Sequence, residues 1–117
     1  MINRIGKGGK LAKTDIKSAF RLLRVSPSDF DQLGFSFDKT FYFDKCLPFG
    51  ASISCSLFEK FSTALRWFTE QKTGNKDILH YLDDLLFGAE ADSPKYQFTL
   101  QTFRDTCICY VNYGGFL

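Results

Sequence analysis

Apolar positions along the chain follow two periods and one nearly unbroken run. Leu33, Phe35 and Phe37 alternate with Gly34 and Ser36, the period of a half-buried strand. Thr40–Phe43 supplies its partner across Asp38-Lys39, so a hairpin is expected there. Ile53, Leu57, Phe61, Leu65 and Phe68 recur at helical spacing, with Phe58 widening the stripe, which predicts a long amphipathic helix ending at Thr73-Gly74-Asn75. Tyr96, Leu100, Phe103, Cys107 and Tyr110 predict a last helix, started by Ser93-Pro94. Between the helices, Ile78–Phe87 is almost wholly apolar except for Asp83-Asp84. It reads as two strands, Asp77–Tyr81 and Leu85–Gly88, around a tight turn. Upstream, Leu11–Ile16 reads as a strand and Ser18–Leu23 as a helical turn. Pro27–Gln32 reads as a short helix capped by Ser26, and the Gly- and Lys-rich residues 2–10 as loop. The order β-α-ββ-α-ββ-α predicts an α+β fold, with helices on one side of an antiparallel sheet.

A chain of 117 residues accommodates a single domain with a sizeable core. Its fourteen phenylalanines predict aromatic packing, and also exposed apolar patches with poor solubility if covering domains lie elsewhere. No run approaches a membrane span and no signal-peptide pattern opens the chain. A cytoplasmic or nuclear protein, not secreted and without membrane partners, is therefore expected. Cys46, Cys55, Cys107 and Cys109 lack metal-finger spacing, and His80 is the sole histidine. The cysteines are expected to be free, buried thiols, and His80 a strand residue hydrogen-bonded locally.

Charge is uneven. Residues 1–24 hold seven basic side chains against Asp15 alone, and the remainder holds eight basic and twelve acidic groups. A basic end beside acids suits a polyanion brought to a metal, although a solvated arm at residues 1–10 satisfies the same count. Two adjacent carboxylates between strand-forming runs avoid a costly burial only at a turn tip. With Asp15 at the end of another strand, three acids would meet at one point. Oxygen-only ligation of that kind suits a hard cation such as Mg²⁺. Taken singly, each acid also fits a solvated turn or cap.

Three ordered motifs narrow this choice. Lys13-Thr14-Asp15-Ile16-Lys17-Ser18-Ala19-Phe20 resembles the first catalytic motif of reverse transcriptases. Leu47-Pro48-Phe49-Gly50 resembles their nucleotide-pocket motif, and Tyr81-Leu82-Asp83-Asp84 their Y-x-D-D box. The resemblance spans roughly residues 10–115. Leu47 to Cys55 and His80 to Asp84 further resemble DIRS-type retrotransposons. It implies a polymerase palm with a ferredoxin-like core, residues 11–117 being a partial domain with truncated fingers and no thumb. It further implies RNA-directed DNA polymerase activity. Deoxynucleotides would be added to the primer 3′-hydroxyl on an RNA or DNA template, within a longer chain bearing fingers, thumb and RNase H regions.

By the same resemblance, Asp15, Asp83 and the Ile16 carbonyl ligate two Mg²⁺ ions, with Mn²⁺ as a substitute. Asp84 completes the catalytic triad and belongs to the same metal-holding set. Phe20 is the steric gate against a 2′-hydroxyl, Phe49 and Gly50 belong to the nucleotide pocket, and Tyr81 packs near template–primer. Phe49 departs from the glutamine found in some members, which puts a hydrogen bond from that position in doubt. An isolated 1–117 is expected to bind metal weakly and to extend primers poorly. The alternative expectation is a non-catalytic retroelement remnant that binds nucleic acid or protein.

Overall fold

The computed structural model describes residues 1–113. In chain order it contains α1 (Ile2–Ile5), β1 (Lys10–Asp15), 3-10 turns at Ala19–Leu22 and Pro27–Leu33, β2 (Gly34–Phe37) and β3 (Thr40–Phe43). The chain continues through α2 (Ser52–Thr73), β4 (Ile78–Tyr81), β5 (Asp84–Ala89) and α3 (Lys95–Tyr113). The expected α+β order holds, with one correction at the start: the first turn is helical rather than loop. Ile5 is buried, and Arg4 pairs with Asp77 at 2.8 Å, so this stretch is tied to the body of the domain.

The main sheet runs β1-β5-β4, all antiparallel. Its central strand, β5, buries Leu85, Phe87 and Ala89 on the side covered by α2 and α3. Ile16, Leu23, Leu47, Phe58, Leu65, Ile78 and Phe103 complete the core around Leu85 and Phe87. The other side of the sheet stays open, with Leu11, Leu79 and Tyr81 exposed. Buried Asn75 locks the end of α2 to this layer. Its side-chain amide donates to the Gly88 carbonyl at 3.1 Å and to the Thr99 hydroxyl at 3.0 Å. Gly74 stops the helix as expected, in the left-handed conformation (φ +67°) that a residue without a Cβ adopts cheaply.

The buried stripe of α2 differs from the apolar stripe in its sequence. Ser54, Phe58, Ser62, Leu65 and Thr69 face inward, while Ile53 is 62% and Phe68 42% exposed. Small side chains let the helix lie close on the sheet, and each hydroxyl finds a carbonyl. Ser54 donates to Pro48, Ser62 to Leu82 and Thr69 to Leu65, at 2.7–2.8 Å. Satisfied in this way, buried hydroxyls carry little penalty. The displaced aromatic stripe turns toward α3, where Phe61 meets the Tyr110 ring at 4.7 Å.

The β2–β3 hairpin forms at Asp38-Lys39 as expected, with both turn residues at positive φ, the type I′ geometry that matches strand twist. It is not part of the main sheet, and its strands are exposed on both faces rather than half-buried. Cross-strand stacking of Phe35 on Tyr42 at 5.6 Å holds it. The radius of gyration, 17.4 Å, exceeds the about 13 Å of a compact chain of this length, and the longest extent is 60 Å. Such elongation fits a hairpin that stands off the body.

All four cysteines are free, but Cys55 and Cys109 are exposed, which corrects the expectation of buried thiols. Both lie outside the inward faces of α2 and α3. Cys107 is half-buried, and burial pushes its thiol up to about 11.

Two outcomes follow from this packing. Phe58→Ala removes a fully buried ring and is expected to lower unfolding free energy by about 3–5 kcal/mol in urea titration, against under about 0.5 kcal/mol for Ile53→Ser. Because alkylation needs the thiolate, iodoacetamide at pH 8 should label Cys55 and Cys109 well before Cys107, which reacts readily only as pH approaches about 11. Mass spectrometry of the labelled peptides checks the order.

Candidate active site

Antiparallel pairing of β1 with β5 places Asp15 directly opposite Asp84. The two-residue turn Leu82-Asp83 joins β4 to β5, with Tyr81 opposite Asp84. Beyond the last paired residue, the Ile16 N–H donates to the Asp83 carbonyl at 2.8 Å, which ties the turn to the end of β1. All three acids thus come to one end of one sheet. They line an open cavity of about 430 Å³ together with Lys13 and Thr14.

Their side chains are not drawn into a metal cluster, however; among the described residues no three His, Cys, Asp or Glu side chains form one. Like charges repel, and Lys13 holds Asp84 Oδ1 at 3.1 Å. Since β-strand side chains alternate, Lys13 and Asp15 share a face, so the lysine projects beside the acids. Both partners of this pair are roughly half or more exposed, so solvent screens it and it contributes at most about 1 kcal/mol. The buried Ile16 residue points its carbonyl at the Ala19 N–H, which donates to it at 3.2 Å. One lone pair is therefore engaged, and the second is left for another partner.

The turn itself is strained. Leu82 has φ +51° while Asp83 does not have positive φ, the arrangement of a type II′ turn, whose first central position favours glycine. For an ordinary L-residue this conformation costs about 1–2 kcal/mol. Helix α2 supplies the compensation: Ser62 Oγ donates to the Leu82 carbonyl at 2.7 Å, and Glu59 Oε2 accepts the Leu82 N–H at 3.2 Å. His80 is not locally bonded as expected. Its ring reaches across to Glu59 at 2.7 Å and Thr63 at 3.2 Å, both on α2.

The remaining residues group elsewhere. Phe20, on the Ala19–Leu22 turn, meets Phe49 at 5.4 Å and Phe58 at 5.3 Å between ring centroids. Phe49 is 73% exposed. Gly50 has φ +85°, and an added Cβ would touch no protein atom within 4 Å. Backbone conformation, rather than crowding within the chain, is what calls for glycine there. Neither Phe20, Phe49 nor Gly50 lines the acidic cavity. Tyr81, highly exposed on the open face, lines an adjoining cavity of about 460 Å³ with Lys13 and Asp84. Of the basic residues near the start, Arg4 is occupied by Asp77, and Lys10 lies 5.9 Å from the Tyr96 ring centre.

The family model for reverse transcriptase (RNA-dependent DNA polymerase) matches residues 1–110. The chain belongs to the reverse transcriptase family. A comparison with curated proteins returned no significant match. The family acts on nucleic-acid templates with nucleotide substrates, and the α+β architecture of this reverse transcriptase domain is that of the palm. Sequence reading brought Asp15, Asp83 and Asp84 into view but missed Lys13, Glu59 and Ser62. Lys13 was open to recognition, because it lies two residues before Asp15 on a predicted strand. Glu59 and Ser62 carried no such signal, since their partners are backbone groups of Leu82, twenty or more residues away.

A double-mutant cycle on Lys13→Met and Asp84→Asn should give a coupling of about 0.2–1 kcal/mol at low salt. In 1 M NaCl it should vanish, as expected for a solvated pair; thermal unfolding of the four proteins checks this.

Proposed function

We propose that this domain provides the catalytic centre of an RNA-directed DNA polymerase, one that adds deoxynucleotides to a primer 3′-hydroxyl. The observation that carries the reading is the register pairing of Asp15 with Asp84, with Asp83 one residue beyond, around a single open cavity. The donor set fits two Mg²⁺ ions, or Mn²⁺ in their place: it is entirely oxygen, open to solvent and held on strand ends. Asp15, Asp83 and the free lone pair of the Ile16 carbonyl would hold the metals, and Asp84 would complete the acidic set. When bound, such metals activate the attacking hydroxyl and neutralise charge on the leaving pyrophosphate.

Phosphoryl transfer then asks the protein for positioning rather than for a nucleophilic side chain. The Asp83 carbonyl, bonded to the Ile16 N–H, keeps the acid turn beside β1. Phe20, braced by Phe49 and Phe58, would place a rigid ring under the sugar and exclude a 2′-hydroxyl. Phe49 offers an apolar contact at the nucleotide pocket, Gly50 a backbone without a side chain, and Tyr81 an exposed ring for template–primer. Lys13 would give up Asp84 as metal enters.

We further propose a retrotransposon of DIRS type as the source of the domain, within a longer chain that supplies fingers, thumb and RNase H regions. The wording of the Leu47–Cys55 and His80–Asp84 segments supports this.

Calorimetric titration of the 117-residue protein with Mn²⁺ tests the centre. Weak, saturable binding is expected, and Asp83→Asn should reduce affinity about tenfold or more, equivalent to about 1.4 kcal/mol. Equal affinity in wild type and Asp83→Asn would sink the metal assignment.

A further inference from the structure

Helix α2 grips both backbone polar groups of Leu82 in the acid hairpin, one on each of the two peptide units that flank its Cα. Glu59 Oε2 accepts the Leu82 N–H, and Ser62 Oγ donates to the Leu82 carbonyl. The other Glu59 oxygen, Oε1, lies 2.7 Å from His80 Nε2. A carboxylate only accepts hydrogen bonds, so the His80 proton facing it sits on Nε2. The His80 side chain is 7% exposed, and that of Glu59 is 45% exposed. One carboxylate therefore spans residues 80 and 82 from outside the hairpin, immediately before Asp83.

Several features set this apart from ordinary packing. Leu82 has the positive φ that the turn requires, and no glycine is there to adopt it freely. The residue that accepts its N–H is an acid, bonded to the backbone one residue before Asp83, where an added negative charge is unfavourable unless it is well bonded. Moreover, His80 Nδ1 is buried with no partner among the described residues, so the ring is oriented by its Nε2 contacts alone.

We infer that Glu59 is a positioning residue of the polymerase centre: through His80 and the Leu82 N–H it holds the turn in the conformation that sets Asp83 beside Asp15. This rests on the metal-binding reading proposed above. The grip acts on the backbone preceding Asp83. Ser62 holds the Leu82 carbonyl, on the peptide unit that follows. Glutamine at 59 would still present an oxygen to Leu82, but its NH₂ group would require His80 to accept at Nε2 and move its proton to the partnerless Nδ1. Substitution by glutamine therefore keeps the Leu82 contact and weakens only the histidine arm.

Mn²⁺ titration of wild type, Glu59→Ala, Glu59→Gln and Asp83→Asn, with amide hydrogen exchange at Leu82, tests the inference. Glu59→Ala should lose about tenfold in Mn²⁺ affinity and accelerate Leu82 exchange, while protection at Leu85 and Phe87 in the central strand persists. Glu59→Gln should stay within about threefold of wild type. The decisive readout is rescue. Leu82→Gly adopts positive φ without strain, so in that background Glu59→Ala should cost less than about threefold. An undiminished tenfold loss there, or unchanged affinity in Glu59→Ala alongside loss in Asp83→Asn, overturns the inference. Unchanged affinity in Asp83→Asn would instead remove the metal reading beneath it. If Glu59→Ala does not fold, Ser62→Ala, which frees the Leu82 carbonyl, replaces it in the cycle with the same expected rescue.

Discussion

The antiparallel register between β1 and β5 is the constraint on which both core and site depend. Side chains alternate across a strand, so a slip of one residue would turn every side chain to the opposite face. In the observed register Asp15 meets Asp84, while Ala12 meets buried Phe87. The same pairing that places acids at the open end of the sheet thus places Leu85 and Phe87 under the helices. Burial of these two residues defends the register: exposing them would forfeit about 1.5–3 kcal/mol each. The hydrophobic core therefore supports the geometry of the acids without touching them.

Close approach of α2 extends that support to the turn. A seam of Ser54, Ser62 and Thr69 lets the helix backbone come near the sheet, where bulkier side chains would hold it away. Proximity then gives Ser62 its reach to the Leu82 carbonyl and Glu59 its reach to the Leu82 N–H. A strained peptide persists where surrounding structure over-determines it. Here three contacts hold Leu82: β5 begins two residues on, Ile16 just past β1 bonds the adjacent Asp83 carbonyl, and α2 holds both Leu82 backbone polar groups.

Electrostatics at this end of the sheet remain unbalanced. Lys13 neutralises one acid across a solvated gap, and like-charge repulsion opposes convergence of the others. Catalytic centres commonly retain such frustration, because a cation that relieves it binds with the energy the fold leaves unspent. The exposed Tyr81, Leu79 and Leu11 on the open side of the sheet, and the aromatic hairpin beyond it, likewise present surfaces the domain does not itself cover.

By itself the sequence determined much of this protein. Helical and alternating periods located both long helices and the hairpin, and Gly74 marked the end of α2. Three ordered motifs specified the family and the acids Asp15, Asp83 and Asp84. These features are legible because each depends on neighbours a few residues away. The side of α2 that packs inward, the exposure of β2 and β3, and the helical first turn were not legible. Each was decided by how closely separate elements approach, and a run of apolar residues does not report that distance. The same holds for the grip on Leu82. Glu59, Ser62 and His80 are ordinary polar residues in the sequence; only the fold gathers them around Leu82, because its positive φ and the placement of its backbone groups arise only once the turn has formed. The acids and the tight turn were thus written locally, while the pairing that sets Asp15 opposite Asp84 and the hold on Leu82 were settled by tertiary contact.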